Sequence, residues 1–206
     1  MLLKRFFFLL LLTATSGMVW AQQPGTEDLG SFVPKGYKLR YQYNGDLNQD
    51  SLQDKIIVVE TDRSLGDDSL RALLPPGTNL LKRPVIILLR QPDHSLKRVT
   101  RNDQAIGQVL GNTDPFTTIR CGIGTFTIEQ TVQDGSQHCT IASRFEWSAK
   151  QSDWYLKLYS HSCIFTTAGA GSDDAGYKEK TPKNFGKITF GKYKYPMEIE
   201  IDEWGQ

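Results

Sequence analysis

Oxygen-bearing side chains stand at alternate positions from Asp46 to Asp54: Asp46, Asn48, Asp50 and, four residues on, Asp54. Hard oxygen donors at loop positions 1, 3, 5 and 9 suit a cation such as Ca²⁺, which takes six to eight oxygens at about 2.3–2.6 Å. Leu52, at the seventh position, adds its backbone carbonyl. The set is then Asp46, Asn48, Asp50, Leu52 and Asp54, completed by a bidentate aspartate or by water. Without a cation these carboxylates would repel one another, and Gly45 permits a sharp entry into the loop. The sixth position, where glycine commonly supplies a left-handed backbone, is Ser51, and the twelfth is Ile57 instead of glutamate. The helix-loop-helix calcium hand is therefore excluded, and a strand follows the loop. The competing reading is a solvated acidic turn, since Asp and Asn are common turn residues.

Other reactive side chains are sparse. Cys121, Cys139 and Cys163 allow one disulfide with one thiol left over. Cys139 and Cys163 fall toward the same end of one predicted hairpin, but its register sets Cys139 opposite Ser162, so a bridge needs a bulge. The alternative leaves all three reduced. His94, His138 and His161 are isolated in sequence. A zinc site joining His138 and His161 to the two cysteines is conceivable across the hairpin, with no tight ligand spacing to support it. The chain has no nucleophile elbow, phosphate-cradling glycine loop or zinc-protease helix. Its scattered acidic residues neither name nor exclude a glycosidase pair. Trp147, Trp154 and Trp204 read as core or rim.

The elements that must hold these groups are strands. Lys38 to Tyr43 alternates, with Leu39, Tyr41 and Tyr43 on one face, and Lys55 to Glu60 is an unbroken apolar run. The acidic loop joins them as a hairpin connection. Ser64 to Pro84 reads as an insertion with a possible helix over 67–74. Pro84 to Arg90 and Leu96 to Arg101 form the next hairpin about a turn at Pro92 to Ser95. Thr125 to Val132, Cys139 to Trp147 and Trp154 to Tyr159 form a meander. A four-residue turn at Asp134 to Gln137 sets Phe126 opposite Phe145, and face matching sets Trp147 opposite Trp154. Gly169 to Lys180 reads as a surface loop, and Gly186 to Tyr193 and Met197 to Asp202 as final strands. The expected fold is all-β: antiparallel meander sheets in a sandwich or propeller-blade arrangement.

Lys4 and Arg5 precede the apolar run Phe6 to Leu12, and Val19-Trp20-Ala21 precedes a polar stretch. Residues 1–21 are thus expected to be a cleavable export signal, 22–31 a flexible tail and 32–206 one β-domain. The apolar run is too short to span a bilayer. Without Lys4 and Arg5, 22 basic residues face 23 acidic ones, and no segment combines a basic surplus with interleaved aromatics, which excludes a nucleic-acid binder.

The stretch Gly45-Asp46-Leu47-Asn48-Gln49-Asp50-Ser51-Leu52-Gln53-Asp54-Lys55-Ile56-Ile57-Val58-Val59 resembles the calcium-binding hairpin of FG-GAP and VCBS-type repeats. There such loops join strands of propeller blades in secreted or surface proteins. The resemblance implies Asp46, Asn48, Asp50, Asp54 and the Leu52 carbonyl as calcium ligands; one copy does not imply a whole propeller. More loosely, Phe32-Val33-Pro34-Lys35-Gly36-Tyr37, Asp114-Pro115-Phe116 and Asp153-Trp154-Tyr155-Leu156 are similar to exported bacterial proteins of unassigned function. The expectation is a periplasmic or extracellular, calcium-stabilised binding module for a protein or glycan, not an enzyme. A glycan or cell-wall hydrolase and a periplasmic inhibitor are the alternatives.

Overall fold

The computed structural model describes residues 27–61, 83–107, 114–134, 137–165 and 176–195. The expected export signal, the 67–74 helix and the Met197 to Asp202 strand lie outside these residues, as does Trp204. Two antiparallel meanders make up the fold. The first runs β1 (Tyr37–Gly45), β2 (Asp54–Thr61), β3 (Val85–Arg90), β4 (Leu96–Asn102). The second runs β5 (Phe116–Gly122), β6 (Thr125–Asp134), β7 (Gln137–Ser148), β8 (Asp153–Phe165), β9 (Gly176–Lys180). Neither sheet closes into a barrel. Among the described residues no helix is long and apolar enough to cross a membrane.

Period-two alternation decides which side chains meet between the sheets. Ile56, Val58, Val85 and Ile87 of the first sheet pack with Phe126, Ile128, Ile141, Phe145, Trp154 and Leu156 of the second. Phe126 and Phe145 stack at 5.0 Å, and Phe190 meets both rings edge-on at 5.2 and 5.3 Å. Each such ring, taken wholly out of water, contributes about 1.5–3 kcal/mol. The unbroken runs of β2 and β3 are apolar on both faces for a reason. Ile57, Val59, Ile86 and Leu88 point away from the sandwich and pack with Leu29, Phe32, Val33 and Leu96.

This second core fixes the start of the fold. Leu29 is buried, Gly30–Phe32 makes a 3-10 turn, and the Glu27 carboxylate pairs with Arg90 and Lys55. Residues 27–31 of the expected tail therefore belong to the fold, because Leu29 covers the outer side of β2 and β3.

The register of the central meander is as the faces require: Phe126 opposes Phe145, Ile128 opposes Ser143, and Trp147 opposes Trp154. Several local expectations are corrected by bulges. Arg40 is an extra residue in β1, so Leu39 opposes Val59 on the outer face, 40% exposed, while Tyr41 and Tyr43 pack on the inner core. Lys157 is an extra residue in β8, which shifts the pairing and brings Cys139 opposite Cys163 instead of Ser162.

Two further elements differ from expectation. The expected loop ending at Lys180 contains a strand over Gly176–Lys180, and the expected strand over Gly186 to Tyr193 is one bridge at Thr189 followed by a 3-10 turn, Phe190–Lys192. The only helix among the described residues is one turn, α1 (Pro182–Phe185), begun by a Thr181–Asn184 capping box. Asn102 holds the 3-10 turn to β4 by donating to the Phe190 and Tyr193 carbonyls at 2.5 and 2.8 Å.

Candidate functional site

The acidic loop connects β1 to β2 at one end of the sandwich, where the two sheets approach. Carboxylate oxygens of Asp46, Asp50 and Asp54 all lie within 4.8 Å of one another. The loop coils around its own carboxylates. Asp46 accepts the Asp50 and Ser51 N–H groups at 3.1 Å each, and Asp50 accepts the Leu52 N–H at 2.8 Å. Asn48 donates its amide to Asp50 at 2.8 Å and accepts the Asp50 N–H at 3.3 Å. To turn so tightly the chain passes through left-handed conformations at Gln49 (φ 66°) and Ser51 (φ 67°). The sixth position thus needs the backbone that glycine supplies without a Cβ clash.

Asp54 differs from its partners in being fully buried. Its two oxygens accept the backbone N–H groups of Leu47 and Arg90, each at 2.8 Å. Burial raises its pKa, opposed by those two hydrogen bonds and reinforced by the charges of Asp50 and Asp46. A bound cation would relieve that repulsion, and the all-oxygen donor set fits Ca²⁺. Of the five predicted ligands, three carboxylates converge. Asn48 reaches them as a hydrogen-bond partner of Asp50, and Leu52 is tied in through its N–H.

Sequence reasoning missed the loop's anchor. Leu47 is the apolar residue between the first two acidic positions, and its side chain is wholly buried in the core. Its carbonyl accepts the Trp154 indole N–H at 2.8 Å, and the Asp46 carbonyl accepts the Gly124 N–H at 2.7 Å. Gln49 packs so closely on Gly124, itself at φ 65°, that a methyl group there would lie 2.3 Å from the Gln49 amide. A leucine inside an acidic run is the one signal that pointed to this docking.

The buried pair Arg83 and Glu60 is committed to structure. Arg83, buried beside Pro84, donates to Glu60 at 3.1 Å and grips both oxygens of Asp114, the second at 2.8 Å. An open hollow lined by Glu27, Asp28, Leu29, Lys35, Tyr37 and Gln42 mixes polar and apolar groups, and its Glu27 carboxylate is already paired with Arg90.

Cys139 and Cys163 form a disulfide, and Cys121 is the free cysteine, its thiol pushed up to about 11 by burial. His161 lies on the inner face with a ring nitrogen 3.3 Å from the Cys163 sulfur. Burial, and then the charge of Lys178, lowers its pKa. His138 opposes Ile164 on the outer face, so the four-residue arrangement with both histidines does not form. Trp154 is core and Trp147 half-buried against it, their rings 4.5 Å apart. Comparison with protein-family models, curated proteins and solved structures finds no match to this chain.

Proposed function

We propose that this chain is an exported β-domain whose first hairpin is pinned by a structural calcium ion, and that it serves as a binding module for a protein or glycan. One observation carries the calcium reading: three aspartates within a nine-residue stretch converge within 4.8 Å while one of them is fully buried. Like charges held that close repel one another, and a cation joining them relieves the repulsion. The resemblance to FG-GAP and VCBS-type hairpins supports the same ligand set, and the basic-then-apolar start of the chain supports export.

Calcium's contribution is to stability. At free calcium about ten times the dissociation constant, binding adds roughly 1.4 kcal/mol to folding. The test is a thermal melt of the wild-type chain in calcium and in chelator, repeated for Asp50→Ala. The wild type melts higher in calcium and the variant melts alike in both; a wild type indifferent to calcium sinks the reading. Binding function is tested separately, by glycan-array screening and by recovery of a stoichiometric protein partner.

A further inference from the structure

We propose that Cys139, Cys163 and His161 form a second, redox-gated site: a closed disulfide in one state and, in the dithiol state, a three-ligand seat for zinc. Cys139 and Cys163 face each other across one rung of the β7–β8 ladder, and His161, two residues before Cys163, projects from the same face. Ligand atoms of the three residues lie within 4.8 Å of one another, and His161 already places ring nitrogens 3.3 and 3.5 Å from the Cys163 sulfur.

Tetrahedral zinc, with sulfur at about 2.3 Å and nitrogen at about 2.0–2.1 Å, sets its ligand atoms roughly 3.5–3.8 Å apart. The sulfur–imidazole spacing is near that value before any rearrangement. Once the disulfide opens, side-chain rotation alone separates the two sulfurs, because the strands already hold their Cβ atoms on a shared face. Gly176 opposes Cys163 on β9, and a Cβ there would meet no atom of the described residues within 4 Å. Among the described residues, that leaves room beside the rung. Cys139 is buried while Cys163 and His161 are half-buried, so a fourth coordination position would face solvent, as in an open zinc site.

The exchange balances with a dithiol as reductant. Its two thiols reduce the Cys139–Cys163 bond and leave as a disulfide, the protein gains two thiols, and zinc binding releases their two protons to solvent. The disulfide and the metal are mutually exclusive occupants of the same two sulfurs.

The experiment uses the full chain with Cys121→Ser, so that two thiols remain, reduced with a phosphine and titrated anaerobically with Co²⁺ as zinc's spectroscopic stand-in. Expected is a one-to-one thiolate-to-cobalt absorption band that Zn²⁺ abolishes and that the oxidised protein lacks. His161→Ala should weaken cobalt binding at least about 10-fold, since even outer partners of metal ligands are worth that much. The oxygen ligands of the acidic loop give no thiolate band, so binding there is not mistaken for it. Three results overturn the proposal: no band in the reduced protein, equal affinity in His161→Ala, or reduction that unfolds the domain without recovery of β structure on adding Zn²⁺.

Discussion

The backbone N–H of Arg90, at the end of β3, donates to Oδ1 of Asp54 at the start of β2, across 36 residues of sequence. The same carboxylate takes the Leu47 N–H on its other oxygen. Asp54 therefore holds the loop to the sheet with or without an ion, whereas Asp50 is exposed and binds only within the loop. Asp54→Asn puts an amide where a carboxylate oxygen faced an N–H and should cost about 1–3 kcal/mol even in chelator. Asp50→Ala should cost much less there. Urea unfolding of both variants in chelator separates the two roles.

Ser51 occupies a left-handed conformation that costs a residue with a Cβ about 1–2 kcal/mol. Ser51→Gly relieves this and gives back part of it in unfolded-chain entropy. The expected net gain is about 0.5–1 kcal/mol, read as a higher urea midpoint at unchanged slope.

Arg83 stands between Glu60 and Asp114, well out of water. Truncating it to methionine leaves a buried carboxylate without its counter-charge, which should destabilise the domain by about 3–5 kcal/mol. A loss under 1 kcal/mol in chemical denaturation would mean that the network is far wetter than its burial implies.

The Glu27 pKa is lowered, first by its hydrogen bond to Arg90 and against the cost of its partial burial. A carboxyl with a depressed folded pKa stabilises above its ordinary value, near 4.5, and loses that contribution as pH falls through the lowered one. Contact of the 27–33 segment should therefore weaken on acidification below about pH 4.5. Amide exchange at Leu29 measures this, and Glu27→Gln should flatten the dependence.

Burial raises the Cys121 thiol to about 11. At pH 8 the native chain should react with a thiol reagent orders of magnitude more slowly than the unfolded chain, which should show one reactive thiol while the disulfide is intact. A native reaction as fast as the unfolded one would mean that the half-buried thiol keeps its ordinary acidity.

Much of this arrangement could be read from local pattern. The acidic spacing and the alternation of Phe126, Ile128, Phe145, Trp147 and Trp154 each lie within a few residues, and facing strands must match their apolar sides. Bulges escaped, because one extra residue such as Arg40 or Lys157 leaves no compositional mark yet reverses every side chain beyond it. So did β5, whose extra Thr117 breaks the alternation, and β9, where Tyr177, Lys178 and Glu179 read as polar loop. The cysteine pairing depended on the β8 bulge, and the docking of Leu47 on a tryptophan in another sheet. Neither is a property of the residues around it.

That tryptophan bond spans 107 residues. Contacts between such distant segments close late, after the intervening chain has been ordered. The first hairpin can be drawn early, yet its tip acquires its final curvature only when Trp154 arrives from β8. An ion captured there would report a finished molecule, not a nascent one.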